Sequence, residues 1–479
     1  MTSPSSTPSP GTEPWQWDAT CVAHAVTNGL VSAREVTLSV LERLHQTNGA
    51  INAVVRALDA EALETAQAVD AARARGESLG PLAGVPVTTK VNVDQAGLPT
   101  DNGVPLLKDL IATRDAPVVA ALREAGAVII GRTNTPGYSM RGHTDNALHG
   151  ATLNPWNRAL TPGGSSGGAG AAVATGIGAI GHGNDIGGSI RWPAYCNGVV
   201  GLRPSPGRVA RINDTAPPGR PLSTQLMAVD GPLARSVRDV RLAFEVMATR
   251  PDVRDNRWTP VPIRLPRPKG PIGVALVTRS DGPAVDPACW AAVRQAGRHL
   301  ESAGYRVEEV QPPDMRAASE LWSALGTTEQ SLFLGPKLAQ SGDPGIASFL
   351  GHWWALRPPR DLPGYLQAHV ERDALLQRWL VFLETWPIVI MPASIDGPPI
   401  AGLDVQGAEG ARAMIDALYF QLMLPVLGLP GLALPIDLGG AMPQGVQVFG
   451  ARWREDLLLD AGQVIEAHEG ARLPIDPRP

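Results

Sequence analysis

Three stretches of this chain hold the residue types that attack a carbonyl. A serine pair, Ser165 and Ser166, lies in GGSSGG at 163–168, and Ser189 lies in NDIGGSIR at 184–191. Lys90 closes the apolar run PLAGVPVTTK at 81–90. Cleaving an amide requires a nucleophile, a base to take its proton, donors for the developing oxyanion and an acid for the leaving nitrogen. Glycines beside a serine let the backbone take unusual dihedrals and bring its amides close to a ligand. Asp185, Ile186, Gly187 and Gly188 precede Ser189, and successive amides of such a loop can point into one concavity. A lysine at its ordinary pKa of about 10.4 is protonated and useless as a base near neutrality. Burial among Val85, Val87 and Val93 would depress that value and free the amine. Only four lysines, Lys90, Lys108, Lys269 and Lys337, stand among 41 basic residues. A lysine kept in an apolar run is informative here, because Lys can lose its proton when desolvated and Arg cannot.

The surrounding elements alternate between helix and buried strand. Residues 33–46 and 60–75 carry alanine- and leucine-spaced helical periodicity. VPVTTKVNV after the turn at 76–80, AVIIG at 127–131, and the segments 271–277, 305–310, 388–394, 431–437 and 445–450 read as strands. Residues 117–125, 168–177, 236–247, 289–302 and 457–467 read as helices. A small-residue stretch leads from the 168–177 helix to the loop of Ser189. This alternation argues for the α/β class. The Pro/Arg-rich residues 261–269 read as a connector, and the expectation is one domain over 15–475 behind a flexible tail at 1–14.

The chain resembles the amidase signature family of serine hydrolases. The resemblance rests on Lys90, on GGSSGG, on NDIGGSIR and on the 24-residue spacing from Ser165 to Ser189. DAPVVAALREAGAVIIGRTNTP at 115–136, VVGLRPSPGRV at 199–209, DGPLARSVRDV at 230–240 and PQGVQVFG at 443–450 match further family landmarks in order. The resemblance extends over roughly residues 17–467, nearly the whole chain. The resemblance implies one large mixed β-sheet flanked by helices on both faces. It implies Ser189 as nucleophile, Lys90 as base, and Ser165, on a cis peptide bond, as the proton carrier between them. The amides of Ile186, Gly187, Gly188 and Ser189 are then the oxyanion hole. Ser166, Asp185 and Arg191 are expected to support the network. The implied reaction is hydrolysis of a carboxylic amide through an acyl-enzyme, without metal or cofactor. Two positions depart from the family's common pattern. Val91-Asn92 stands where many members have Asp-Asn, and Asn184 where many have Thr. Both are expected to retune the site and leave its three catalytic positions intact.

Other readings use the same residues. GGSSG fits the G-x-S-x-G pattern of a nucleophile elbow, with His468 as a nominal triad partner, but NPWNRALTP before it does not read as the required strand. No phosphate-binding glycine loop is present, and no clustered His or Cys ligands argue for a metal. His143, His149 and His182 are expected to serve structural hydrogen bonds. Within the resemblance, the alternatives are a glutaminase subunit of a tRNA-dependent amidotransferase, which needs partner chains, and an inactive binding protein of the same fold. Lys-Val-Asn at 90–92 and Trp192 favour a stand-alone enzyme.

Composition sets the remaining bounds. Hydrophobic residues make 44% and charged residues 18% of the 479, ordinary for a globular protein. A net charge of −5 gives no electrostatic case for nucleic acid or anionic membrane. No apolar run is long enough to span a bilayer. Cys21, Cys196 and Cys289 are widely separated and suit a reducing compartment. MTSPSSTPSPGTEP has no signal-peptide pattern, so a cytoplasmic monomer or homodimer acting on a small amide is expected. Segment 316–380 matches the family least and carries Trp322, Trp353, Trp354 and Trp379. Such residues can line an apolar or aryl pocket.

Overall fold

The computed structural model describes residues 12–470 and 472–478. Eleven strands form one sheet: β1 (Val54–Ala57), β2 (Pro86–Lys90), β3 (Val128–Thr133), β4 (Ile180–Asp185), β5 (Val200–Arg203), β6 (Val229–Ala234), β7 (Gly273–Leu276), β8 (Arg306–Glu309), β9 (Ile388–Pro392), β10 (Gly431–Ile436) and β11 (Gln444–Gly450). Their order is β1-β3-β2-β4-β6-β5-β10-β11-β9-β7-β8. β2 runs parallel to β3 and β4, and β7 parallel to β8 and β9, while the remaining pairs are antiparallel. This is the mixed sheet that the sequence implied.

Side-chain alternation along the strands builds a core on each face. Val274, Leu276, Ile388, Ile390, Val446 and Val448 point to one face, among residues of the helices Val237–Met247, Pro287–Ser302 and Glu455–Glu469. Ala275, Val389, Met391 and Phe449 point to the other, among Met315–Phe333, Pro344–Leu356, Leu362–Thr385 and Tyr419–Leu427. Segment 316–380, which carried no assigned elements, is therefore almost wholly helical. Its starts are capped by Asp314, Asp343 and Asp361, whose carboxylates accept backbone N–H groups of the first turns.

Besides β1, a four-residue strand at the sheet edge, three strands were not read from the sequence. β4 is the small-residue stretch IGHGND, β5 is VGLR and β6 is VDGPLA. All are buried along their length, so none alternates between polar and apolar residues. The expected helix at 168–177 runs from Gly167 to Ala174. Of the expected tail, residues 1–11 lie outside the described residues. Glu13 caps a short helical turn at Pro14–Gln16, and the Trp17 indole N–H donates to Thr12 Oγ1 at 2.9 Å.

Candidate active site

Parallel pairing of β2 with β4 brings their C-terminal ends out on the same edge of the sheet. Lys90 ends β2, and Asn184 and Asp185 end β4. The helix Gly167–Ala174 starts beside them and presents Ser165 and Ser166 at its N-terminus. Glycine permits this approach. A Cβ on Gly168 would lie 2.5 Å from the backbone nitrogen of Asn134, and one on Gly167 would lie 2.3 Å from Thr144 Oγ1.

Lys90 is fully buried. Its Nζ lies 2.6 Å from Ser165 Oγ, 3.1 Å from Ser166 Oγ and 2.9 Å from Asn184 Oδ1. Burial pushes its pKa well below the ordinary lysine value, and the carboxylates of Asp230 and Asp185 only partly oppose this. The Gly164–Ser165 peptide bond is cis. The amide of Ser166 donates to the carbonyl of Ser189 at 3.2 Å, tying the two serine segments together. Asn184 touches the lysine directly. Its Nδ2 donates to Asn92 Oδ1 at 2.8 Å, and Asn92 Nδ2 donates to Ser139 Oγ at 2.8 Å. One departure from the family pattern, Asn184, thus stands in a chain of amides that ends at Lys90, and the other, Val91, directly precedes the chain's next member, Asn92.

The loop of Ser189 is held from behind by Asp185. One carboxylate oxygen accepts from the Gly188 N–H at 2.9 Å and the other from the Ile190 N–H at 3.3 Å. Two fully buried guanidinium groups, Arg191 at 3.1 Å and Arg203 at 3.3 Å, pair with the same carboxylate. Burial alone would raise the Asp185 pKa, but the two arginines outweigh it and hold it below the usual carboxylate range. Arg191 also reaches Gln447 Oε1 and the Gln421 carbonyl, each at 2.8 Å. Gly188 sits at φ +105°, and a Cβ there would lie 2.5 Å from Gln421 Cβ, so only glycine fits this turn. Arg203 was not singled out from sequence. It lies in VVGLRPSPGRV, and its only signal was a charge in an otherwise apolar strand.

Ser189 opens on a cleft of about 440 Å³, which includes its solvent mouth. Gly164, Ile186 and Gly187 line the end of the cleft beside Ser189. Met140, Trp322, Leu350, Trp353, Leu418 and Leu422 give most of the rest an apolar wall. The Trp322 indole N–H donates to the Ile186 carbonyl at 2.6 Å, so this ring braces the loop as well as lining the cleft. Trp353 packs against Trp322 with ring centroids 5.4 Å apart. Trp379 instead lies fully buried against Phe382 and Phe449, and Trp354 is not among the lining residues. Of the four tryptophans in the divergent segment, two meet the cleft.

The histidines stand apart from this cleft. His143 meets Thr161 Oγ1 at 2.9 Å, His149 meets Asp101 at 3.2 Å, and His182 packs under the Lys90 amide. His468 bonds the Val464 carbonyl and stacks on His299, so it does not complete a triad with the GGSSG serines. Among the described residues, no cluster of three His, Cys, Asp or Glu could hold a metal, and no helix is long and apolar enough to cross a membrane.

A fully buried lysine in contact with Ser165 and Ser166, beside a serine on a glycine loop, is an arrangement suited to acyl transfer. The family model described as Amidase matches residues 35–459, and the chain belongs to that amidase family. Among curated relatives, an indoleacetamide hydrolase of Bradyrhizobium diazoefficiens is 46% identical over 457 residues, covering 95% of this chain and 87% of the relative. A glutamyl-tRNA(Gln) amidotransferase subunit of Moorella thermoacetica is 31% identical, covering 91% of this chain and 93% of the relative. Among solved structures, 6-aminohexanoate cyclic dimer hydrolase with substrate bound superposes with a TM-score of 0.82 at 28% identity, covering 98% and 99%. The protein is an amidase that hydrolyses carboxylic amides.

Proposed function

We propose that this amidase hydrolyses arylacetamides, with indole-3-acetamide as the representative substrate, and that Ser189, Ser165 and Lys90 carry the reaction. Ser189 Oγ attacks the amide carbon while its proton passes through Ser165 to Lys90 Nζ. The amides of Ile186, Gly187 and Ser189 receive the oxyanion, whereas that of Gly188, expected among them, is spent on Asp185 Oδ1. Collapse breaks the C–N bond, and the proton held at Lys90 returns through Ser165 to the leaving nitrogen. Water then attacks the acyl-enzyme, gives its proton along the same route, and releases the carboxylic acid and Ser189.

The observation that carries this assignment is the 2.6 Å contact between the fully buried Lys90 amine and Ser165 beside the Ser189 loop. Supporting the substrate are the indoleacetamide hydrolase relative at 46% identity and the cleft walls of Trp322, Trp353, Leu350, Leu418 and Leu422. The lower identity to the amidotransferase relative, 31%, favours an enzyme that works without partner chains, as a cytoplasmic monomer or homodimer. The test is turnover of indole-3-acetamide by the purified chain, read as ammonia and indole-3-acetic acid, against L-glutamine. Arylacetamide turnover well above glutamine supports the proposal. Turnover of glutamine alone, or only after partner chains are added, refutes it.

A further inference from the structure

We infer that Gln330 reads the ring of the substrate, accepting a hydrogen bond from a ring N–H of the indole type. This rests on the arylacetamide reading above and names the group in the cleft that tells one ring from another. Five side chains that line the cleft carry nitrogen or oxygen: Ser139, Arg141, Ser189, Trp322 and Gln330. Four are already engaged. Ser189 is the nucleophile. Ser139 Oγ accepts from Asn92 Nδ2 and shares a hydrogen bond with Thr135 Oγ1, both at 2.8 Å. Arg141 grips Asp404 through Nε and Nη2, both at 2.9 Å. The Trp322 N–H is held by the Ile186 carbonyl. The Gln330 carboxamide has no hydrogen-bond partner among the described residues, although it can both donate and accept.

Its place suits a ring held at Ser189. The Trp322 ring runs from the nucleophile loop to Gln330. At the loop end, Trp322 Cζ2 lies 2.8 Å from where a Cβ on Gly187 would stand. At the other end, Trp322 Cη2 and Cζ3 and Gln330 Nε2 each lie 3.7 Å from where a Cβ on Gly326 would stand. The carboxamide therefore sits beside the edge of the indole remote from Ile186. An acyl group with its carbonyl at Ser189 and its ring along Trp322 extends towards Gln330. Trp353, packed on Trp322 with centroids 5.4 Å apart, and Phe349, edge-on to Trp353 at 5.2 Å, fix that wall. A ring that covers the half-buried Gln330 displaces its water, and a polar group stripped of water without a new partner is costly. The ring of indole-3-acetamide offers one polar group, an N–H that only donates, and the Gln330 side-chain oxygen is the acceptor left for it.

The experiment is kcat and KM of the full chain and its Gln330→Met and Gln330→Glu variants on indole-3-acetamide and benzothiophene-3-acetamide, whose rings match in shape and differ in the N–H. Melting temperature and fluorophosphonate titration report folded, active enzyme. In Gln330→Met the kcat/KM ratio of the indole to the benzothiophene amide falls about five- to tenfold relative to wild type. The fall comes through KM, because the ring contact is made equally in the ground and transition states. Gln330→Glu keeps an acceptor and holds the ratio at or above the wild-type value. A ratio unchanged in Gln330→Met, or one that falls equally in both variants, overturns the inference and leaves arylacetamide turnover standing. Absence of turnover of both ring amides by wild type overturns the arylacetamide reading, and this inference with it.

Discussion

Replacing Asp185 by Asn keeps its shape and removes its charge. The side chains of Asp185, Arg191 and Arg203 are all fully buried. After substitution Arg191 retains the Gln421 carbonyl and Gln447, and Arg203 retains the carbonyls of Leu429 and residue 185. Neither retains a counter-charge. Removing one partner from a buried ion pair costs about 3–5 kcal/mol. In addition, one acceptor oxygen becomes an NH2 donor facing donors, either Gly188 N–H, Arg191 and Arg203, or Ile190 N–H and Arg191. The loop of residues 186–189 then loses its anchor, and losing one aligned oxyanion donor costs roughly 100- to 1,000-fold in kcat. Denaturant unfolding of Asp185→Asn should therefore show a loss of about 3–5 kcal/mol. Its kcat should fall about a hundredfold or more with near-native circular dichroism. The pH dependence has a definite sign. The folded Asp185 pKa is depressed, so its contribution is complete above the unfolded value of about 3.9 and is lost as pH falls through the folded value. The stability gap between wild type and variant is flat near neutrality and closes only in acid. A variant with wild-type stability and unchanged kcat would refute this account of the loop.

Lys90→Arg keeps a long basic side chain but places a permanent charge there and supplies no free base, and should lose about 100- to 10,000-fold in kcat/KM. Because folding depresses the Lys90 pKa, the unfolded chain binds more protons, so this residue makes stability rise with pH towards about 10. Melting curves of Lys90→Met should lack that rise relative to wild type, and identical slopes would show that the lysine is charged in the fold. Trp322→Phe keeps a ring but deletes the N–H bond to Ile186, and kcat/KM should drop by about 2- to 10-fold. Trp379→Ala should destabilise by about 3–5 kcal/mol without reordering amide substrates. Trp353→Ala, which opens the cleft wall, should reorder them, and an unchanged order would remove the case for an aryl pocket.

The chemistry of the site was legible before its architecture. Glycine must flank Ser165 and Ser189 because backbone and helix approach too closely for any side chain, and that demand leaves a visible mark in the chain. Lys90 was visible because lysine is scarce here and ends an apolar strand. β4 was hidden for a related reason: Gly181 and Gly183 stand where the helix Gly167–Ala174 and Ser166 press on the strand, so β-branched alternation is absent. Arg203 was hidden because its partner, Asp185, lies 18 residues earlier on β4, across β6 in the sheet, and local sequence does not show that the two meet. The helices of 316–380 left readable starts, Asp343-Pro344 and Asp361-Leu362-Pro363, which combine a capping carboxylate with proline in the first turn. Which tryptophans meet the cleft depended on the angle at which those helices pack, and local sequence does not encode that.

The central claim is that Ser189 is the nucleophile and that Lys90 activates it through Ser165. Fluorophosphonate labelling with the adduct mapped by mass spectrometry tests it most directly, on wild type, Ser189→Ala and Lys90→Ala. One adduct is expected, on Ser189, absent from Ser189→Ala and formed far more slowly in Lys90→Ala. An adduct on Ser165, or labelling of Ser189 at an unchanged rate without Lys90, would contradict it.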